Sequence, residues 1–273
     1  MRWHLRLGHP GPEPLKHLVN ASQGVRLNVR GPTTVERDAC GVSKAKRQIR
    51  RHPQKIEPEA GIRLGLDFHD FETSTINGFR TLMLVIDRYS GFMWDYYLTD
   101  RKQNTILHAL KHLFGYLERH FHIKPKGFEC DNEILMRPEA RDWLENEQHV
   151  TIEPSPADTQ SLNGASERSG GVVKDTGRAM RQGAKLPDDL YPEIFRAAIY
   201  LLNRTPKYQF DWKSPLERFK AKMGEKPGDM KSFLKPRQGH LKVYGCKAFA
   251  LTPDYMKGRN KLKRFNPKAA LSV

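Results

Sequence analysis

Apolar and polar positions change period several times along the chain. "IRLGLDFHDFE" (62–72), "GFRTLMLVIDRYS" (78–90) and "GFMWDYYLTD" (91–100) are short aromatic and β-branched runs separated by turn residues, which predicts three consecutive antiparallel strands. In "NTILHALKHLFGYLERHF" the apolar residues Ile106, Leu110, Leu113, Leu117 and Phe121 recur at spacings of three and four, as in an amphipathic helix. A fourth strand is expected in "KPKGFECDNE", a short helix around "PEARDWLENEQ", and a fifth strand in "HVTIEP". The stretch "SPADTQSLNGASERSGGVVK" (155–174) reads as a loop running into a helix, and "PDDLYPEIFRAAIYLLNRTP" as a further helix packed on the body. Three strands, a helix, a strand, a helix and a strand make an α/β layered domain. The first sixty residues are rich in Pro, Gly and Arg, weakly periodic, and end in the linker-like "RRHPQKIEPEAG". Near the C-terminus "HLKVYGCKAFALT" (240–252) is a strand candidate, and the tail after it is expected to be a small β unit cut short.

Composition narrows the partners. The 273 residues carry a formal net charge of +16, which points to a polyanion. The excess of Lys and Arg sits in residues 1–60 and 218–273, while 61–217 is close to neutral. That distribution suits a catalytic body between two arms that grip nucleic acid. Three widely spaced cysteines, Cys40, Cys130 and Cys246, argue against a disulfide scaffold and for a reducing compartment. No apolar run approaches the roughly 18 residues of a membrane span, and "MRWHLRLGHPGP" lacks a continuous apolar core of a signal peptide. A nuclear or cytosolic protein is expected.

Asp67 lies inside an otherwise apolar strand, where a carboxylate is costly unless it is paired or binds a cation. Asp131 follows the predicted fourth strand, and Glu167 opens the helix after the 155–165 loop. In a layered α/β fold the end of the fourth strand can lie beside the middle of the first, with the helix adding Glu167 at that edge. Three carboxylates so placed suit hard divalent cations, and a pair of Mg²⁺ ions would serve a phosphoryl transfer. Residues 132–166, 35 in number, separate Asp131 from Glu167.

Asp, Asp, 35 residues, Glu resembles the signature of retroviral-type integrases and related transposases. "WHLRLGHP", "CGVSKAKRQI", "LDFHDFETSTINGFRTLMLVIDRYSGFMWDYYL", "CDNEI", "NGASERSGGVVK" and "LKVYGCKAFALT" resemble, in order, the integrase segment of copia-type LTR-retrotransposon polyproteins. The resemblance implies a ribonuclease-H-like core, a five-stranded mixed sheet flanked by helices, over 57–217. It implies a small N-terminal zinc-finger-like His-His-Cys-Cys (GAG-pre-integrase) module over 1–56, here degenerate, and a truncated basic C-terminal β segment over 218–273. Asp67, Asp131 and Glu167 match the metal-binding triad for two Mg²⁺ or Mn²⁺ ions, and His4, His9 and Cys40 match three ligands of the zinc module. The implied activity is 3′-end processing and strand transfer of DNA. The implied partners are element ends and target DNA, RNA as a further candidate, and other copies of the chain, in the nucleus after a cytoplasmic particle stage.

Other residues are read from the pattern. Asn163-Gly164 is a turn pair that can redirect the loop into the helix, and both residues are expected among the DNA contacts. At 100° per residue Gly170, Gly171, Lys174, Arg178 and Arg181 share the Glu167 face; the glycines permit a close approach and the cations would meet phosphates. Asp70 and Asp87 are expected in turn-capping or surface roles, Glu133 as a spare acid, and Trp94, Tyr96 and Tyr97 mostly in the core. "KAKRQIRR" (44–51) fits an import signal, a phosphate contact or a solvated linker equally.

The pattern is damaged in places. Arg37 stands where the family has the first cysteine of its zinc module, so Asp38 or His52 would have to complete the site. Leu162 replaces the Gln usual before Asn-Gly. The expectation is therefore an integrase, with two alternatives: a catalytically inactive nucleic-acid-binding remnant, or a ribonuclease acting on RNA–DNA hybrids.

Overall fold

The computed structural model describes residues 2–26, 59–130, 138–154, 166–221, 235–251 and 269–272. Strands β1 (Arg63–Asp70), β2 (Thr81–Asp87) and β3 (Met93–Leu98) are followed by helix α3 (Gln103–Phe121). Then come β4 (Gly127–Cys130), the short helix α4 (Pro138–Asp142) widening into a π turn, and β5 (Thr151–Pro154). They form one five-stranded mixed sheet in the order β3-β2-β1-β4-β5. β1 to β3 are an antiparallel meander, whereas β4 runs parallel to β1 and β5 parallel to β4. The expected five-stranded sheet flanked by helices is therefore present.

Side-chain alternation in β2 and β3 sends residues to two cores, one on each face of the sheet. On one face Leu64, Leu66, Met83, Val85, Trp94 and Phe128 pack against α3 through Ile106, Leu110, Leu113 and Leu117. On the other, Leu82, Leu84, Ile86 and Met93 pack against helices α5 (Ser166–Ala184) and α6 (Tyr191–Leu202). All seven residues of β2 are buried, which explains why "TLMLVID" is a continuous run rather than an alternating one.

Three regions depart from the sequence reading. The weakly periodic N-terminus contains helices α1 (Arg2–Arg6) and α2 (Pro12–Ala21), and Leu7, Leu18 and Val25 join the second core. Pro12 falls in the first turn of α2, where its missing N–H costs no bond. Helix α7 (Pro215–Ala221) was also unforeseen; Ser214 Oγ accepts a hydrogen bond from the Glu217 N–H at 3.1 Å, as a capping residue does. It carries buried Phe219 into a cluster with Phe92, Trp94 and Phe121. Of the strand expected over 240–252 only β6 (Ala248–Leu251) forms, paired antiparallel with β7 (Ala269–Ser272). Before it, Leu241 is buried in the second core and Gly245 turns with φ +74°.

Asp87 is fully buried at the end of β2, where its carboxylate accepts hydrogen bonds from the Gly61 and Ser90 N–H groups at 2.7 and 2.8 Å. It is a turn cap, as expected, but an interior one. No helix among the described residues is long and apolar enough to cross a membrane.

Candidate active site

The alternation that fills the core also builds the site. In β1 Leu64 and Leu66 face α3, so Gly65, Asp67 and His69 face α5. Asp67 Oδ1 accepts a hydrogen bond from the Phe68 N–H at 2.9 Å, and its Oδ2 lies 3.3 Å from His69 Nε2. His69 is packed beneath Gly170: a Cβ added there would stand 2.0 Å from Nε2. Burial pushes the His69 pKa down to about 4, helped by the charges of Lys174 and Arg101 and opposed by Asp70. The imidazole is therefore neutral at pH 7. Arg101 lies over the Phe68 ring and pairs with Asp70 at 2.9 Å, and Asp70 accepts a bond from Thr81 Oγ1. A polar cleft lined by Asp70, Arg80, Thr81, Asp100 and Arg101 opens there.

The parallel β1–β4 pairing sets Arg63 against Gly127, Leu64 against Phe128 and Gly65 against Glu129. Asp67 and Asp131 each stand two residues further along their chains. Asp131 itself lies outside the described residues, as does Glu133. Glu167 is the second residue of α5, three before Gly170, and its side chain is likewise outside the described part. The fold thus sets the Asp67 strand beside β4 in the middle of the sheet and lays the first turns of α5 over the Asp67 face. Among the described residues no group of three or more His, Cys, Asp or Glu is placed to hold a metal ion; Asp67 and His69 form a pair.

The sequence reading missed His69 and a buried ion pair between Arg88 and Glu129 at 2.6 Å. That pair lies over Gly65, where an added Cβ would stand 2.9 Å from the Arg88 guanidinium carbon. The available signals were the Asp-x-His spacing, which puts both side chains on one strand face, and a glycine amid a strand.

Of the basic residues assigned to the Glu167 face, Lys174 lies close enough to depress the His69 pKa. Arg178 is half exposed and 3.4 Å from Asp175. Arg181 donates to the Leu186 carbonyl at 3.1 Å and lies over the Tyr191 ring, tying the end of α5 to the next turn. Asn163, Gly164 and Leu162 lie outside the described residues. His4 and His9 are buried side by side with ring centroids 4.9 Å apart, and His4 Nδ1 is 2.9 Å from the Pro10 carbonyl. Cys40, Arg37, Asp38, His52 and the 44–51 cluster are outside the described residues, so of the expected zinc ligands only the two neighbouring histidines are described.

No family model matches the chain. Its sequence relatives are retrovirus-related Pol polyproteins of plant transposons. It is 26% identical over 255 residues to that of transposon TNT 1-94 from Nicotiana tabacum, covering 92% of this chain and 18% of that protein. It is 26% identical over 263 residues to that of transposon RE1 from Arabidopsis thaliana, covering 93% of this chain and 16% of the relative. The chain is thus similar, over nearly its whole length, to a segment spanning less than a fifth of these polyproteins. Among solved structures, the HTLV-2 integrase catalytic core domain, determined in complex with magnesium, aligns with a TM-score of 0.45 and 15% identity over 58% of this chain and 96% of that one. The BIV integrase catalytic core aligns with a TM-score of 0.45 and 13% identity over 59% and 95%.

Proposed function

We propose that the chain is the integrase segment of a retrotransposon polyprotein, a polynucleotidyl transferase acting on DNA. The observation that carries the reading is the convergence of β1, the end of β4 and the start of α5. β1 bears Asp67, β4 ends one residue before Asp131 in the sequence, and α5 carries Glu167 as its second residue, in a chain similar over nearly its whole length to retrotransposon Pol polyproteins. Asp67 and the neighbouring neutral His69 present oxygen and nitrogen donors on one strand face, a donor set that fits a divalent cation. Asp67, Asp131 and Glu167 would hold Mg²⁺ or Mn²⁺, which supplies charge stabilisation at the phosphodiester and lowers the pKa of an attacking hydroxyl. The protein's own share is positioning: Gly170 lets α5 lie close on the Asp67 strand face, and Lys174 supplies a cation beside it. The basic ends of the chain would hold element-end and target DNA in an assembly of several copies.

The test uses residues 1–273 with the Asp67→Asn and Glu167→Gln variants on a labelled duplex, in Mg²⁺ and then Mn²⁺. End trimming or joining by the unsubstituted chain, lost in both variants, is the expected result. Arg37 and Leu162, at positions where the family has Cys and Gln, favour a second reading in which the fold binds nucleic acid without reacting. Salt-dependent binding with no turnover under either metal would establish that reading instead.

A further inference from the structure

Beside Asp67 the structure holds a second buried group with no assigned task. His69 is 9% exposed, and its Nε2 has no hydrogen-bond partner among the described residues. A buried polar nitrogen left unpaired is costly and asks for an explanation. A core histidine normally satisfies both ring nitrogens. Here Nε2 faces the carboxylate of Asp67 at 3.3 Å without the alignment of a hydrogen bond.

We propose that His69 is a nitrogen donor to the metal site that Asp67 opens, so that this chain prefers Mn²⁺ or Co²⁺ to Mg²⁺. The inference rests on the integrase reading above and adds a ligand to it. Three observations converge. Asp67 and His69 sit two apart on one strand, so their side chains leave the same face of the sheet. Two donors each about 2.1 Å from one ion, at an angle near 100°, would be about 3.2 Å apart, which matches the separation seen. Gly170 fixes the ring from the other side, since any side chain there would occupy its place. Mg²⁺ takes oxygen ligands almost to exclusion, whereas an imidazole favours the later divalent ions; hence the altered preference.

The experiment loads the full chain with Mn²⁺ without DNA and reads nitrogen coupling to the ion by pulsed electron paramagnetic resonance. Mn²⁺ affinity is titrated in parallel, and Mg²⁺ competes for the same site. His69→Gln and Asp67→Asn are compared, with thermal unfolding to confirm that each folds. The expected result is ¹⁴N coupling in the unsubstituted chain that disappears in His69→Gln, with Mn²⁺ affinity falling roughly ten-fold or more and Mg²⁺ affinity moving less. Because the coupling is read in the unsubstituted protein, a poorly folded variant does not remove the test. Mn²⁺ bound without ¹⁴N coupling, but lost in Asp67→Asn, overturns the His69 assignment and leaves the integrase reading standing. Coupling that persists in His69→Gln overturns it too. Absence of Mn²⁺ binding by the unsubstituted chain overturns both.

Discussion

Two adjacent glycines in α5 should respond oppositely to the same substitution. At Gly170 an alanine methyl would stand 2.0 Å from His69 Nε2 and 2.3 Å from Cε1, so the ring must turn out or the helix must lift off β1. Overpacking of this kind costs about 1–3 kcal/mol. At Gly171 the same methyl meets nothing within 4 Å. Each replacement also gains about 1 kcal/mol of helix propensity. That gain is common to both, so the difference between Gly170→Ala and Gly171→Ala should be the overpacking cost alone, about 1–3 kcal/mol. Gly171→Ala is then more stable than the parent, and Gly170→Ala is close to it or less stable. Urea unfolding at pH 7, compared through midpoints at a shared slope, measures the difference. Combining Gly170→Ala with His69→Ala should shrink it, because the colliding ring is gone. Two single variants that agree within about 0.5 kcal/mol would refute the placement of α5 on the Asp67 face, since a methyl 2.0 Å from the His69 ring must cost more than one in open space.

Other consequences are equally direct. Arg88→Met leaves Glu129 buried without its cation, so stability should fall by about 3–5 kcal/mol in urea unfolding, a loss larger than any exposed pair would give. Lys207 is held by burial at a pKa of about 8 instead of 10.5, so between those pH values the unfolded chain binds more protons and stability rises with pH. Below pH 8 the cost of the half-buried cation is fully present, so Lys207→Met should stabilise the protein at pH 7, with the gap closing near pH 10.5. Lys174→Ala should weaken DNA binding across sequences and lower the slope of log affinity against log salt by about 1, read by fluorescence anisotropy at several salt concentrations.

The sequence by itself determined the local periods. The short aromatic and β-branched runs in 62–72, 78–90 and 91–100 and the three-and-four spacing of Ile106 to Phe121 were enough to place three antiparallel strands and the helix that follows them. It also exposed Asp67 as a charge in an apolar strand, and counted the residues from Asp131 to Glu167. Pro12 and Pro14 in "PEPLKHLVNA", and the short "PLERFKA", hid helices whose stability comes from what they pack on rather than from their own pattern. Only the tertiary structure decided which helix lies on which face. It set His69 under Gly170, folded Arg88 over Gly65 onto Glu129, and put Arg181 at the end of α5 against Leu186 and Tyr191 instead of leaving it to a helical wheel. The reason is physical. A strand's alternation is settled by its own backbone, so it can be read from neighbours in sequence. Close approach of a glycine, and the pairing of charges 41 residues apart at positions 88 and 129, depend on chain crossings that no local pattern records.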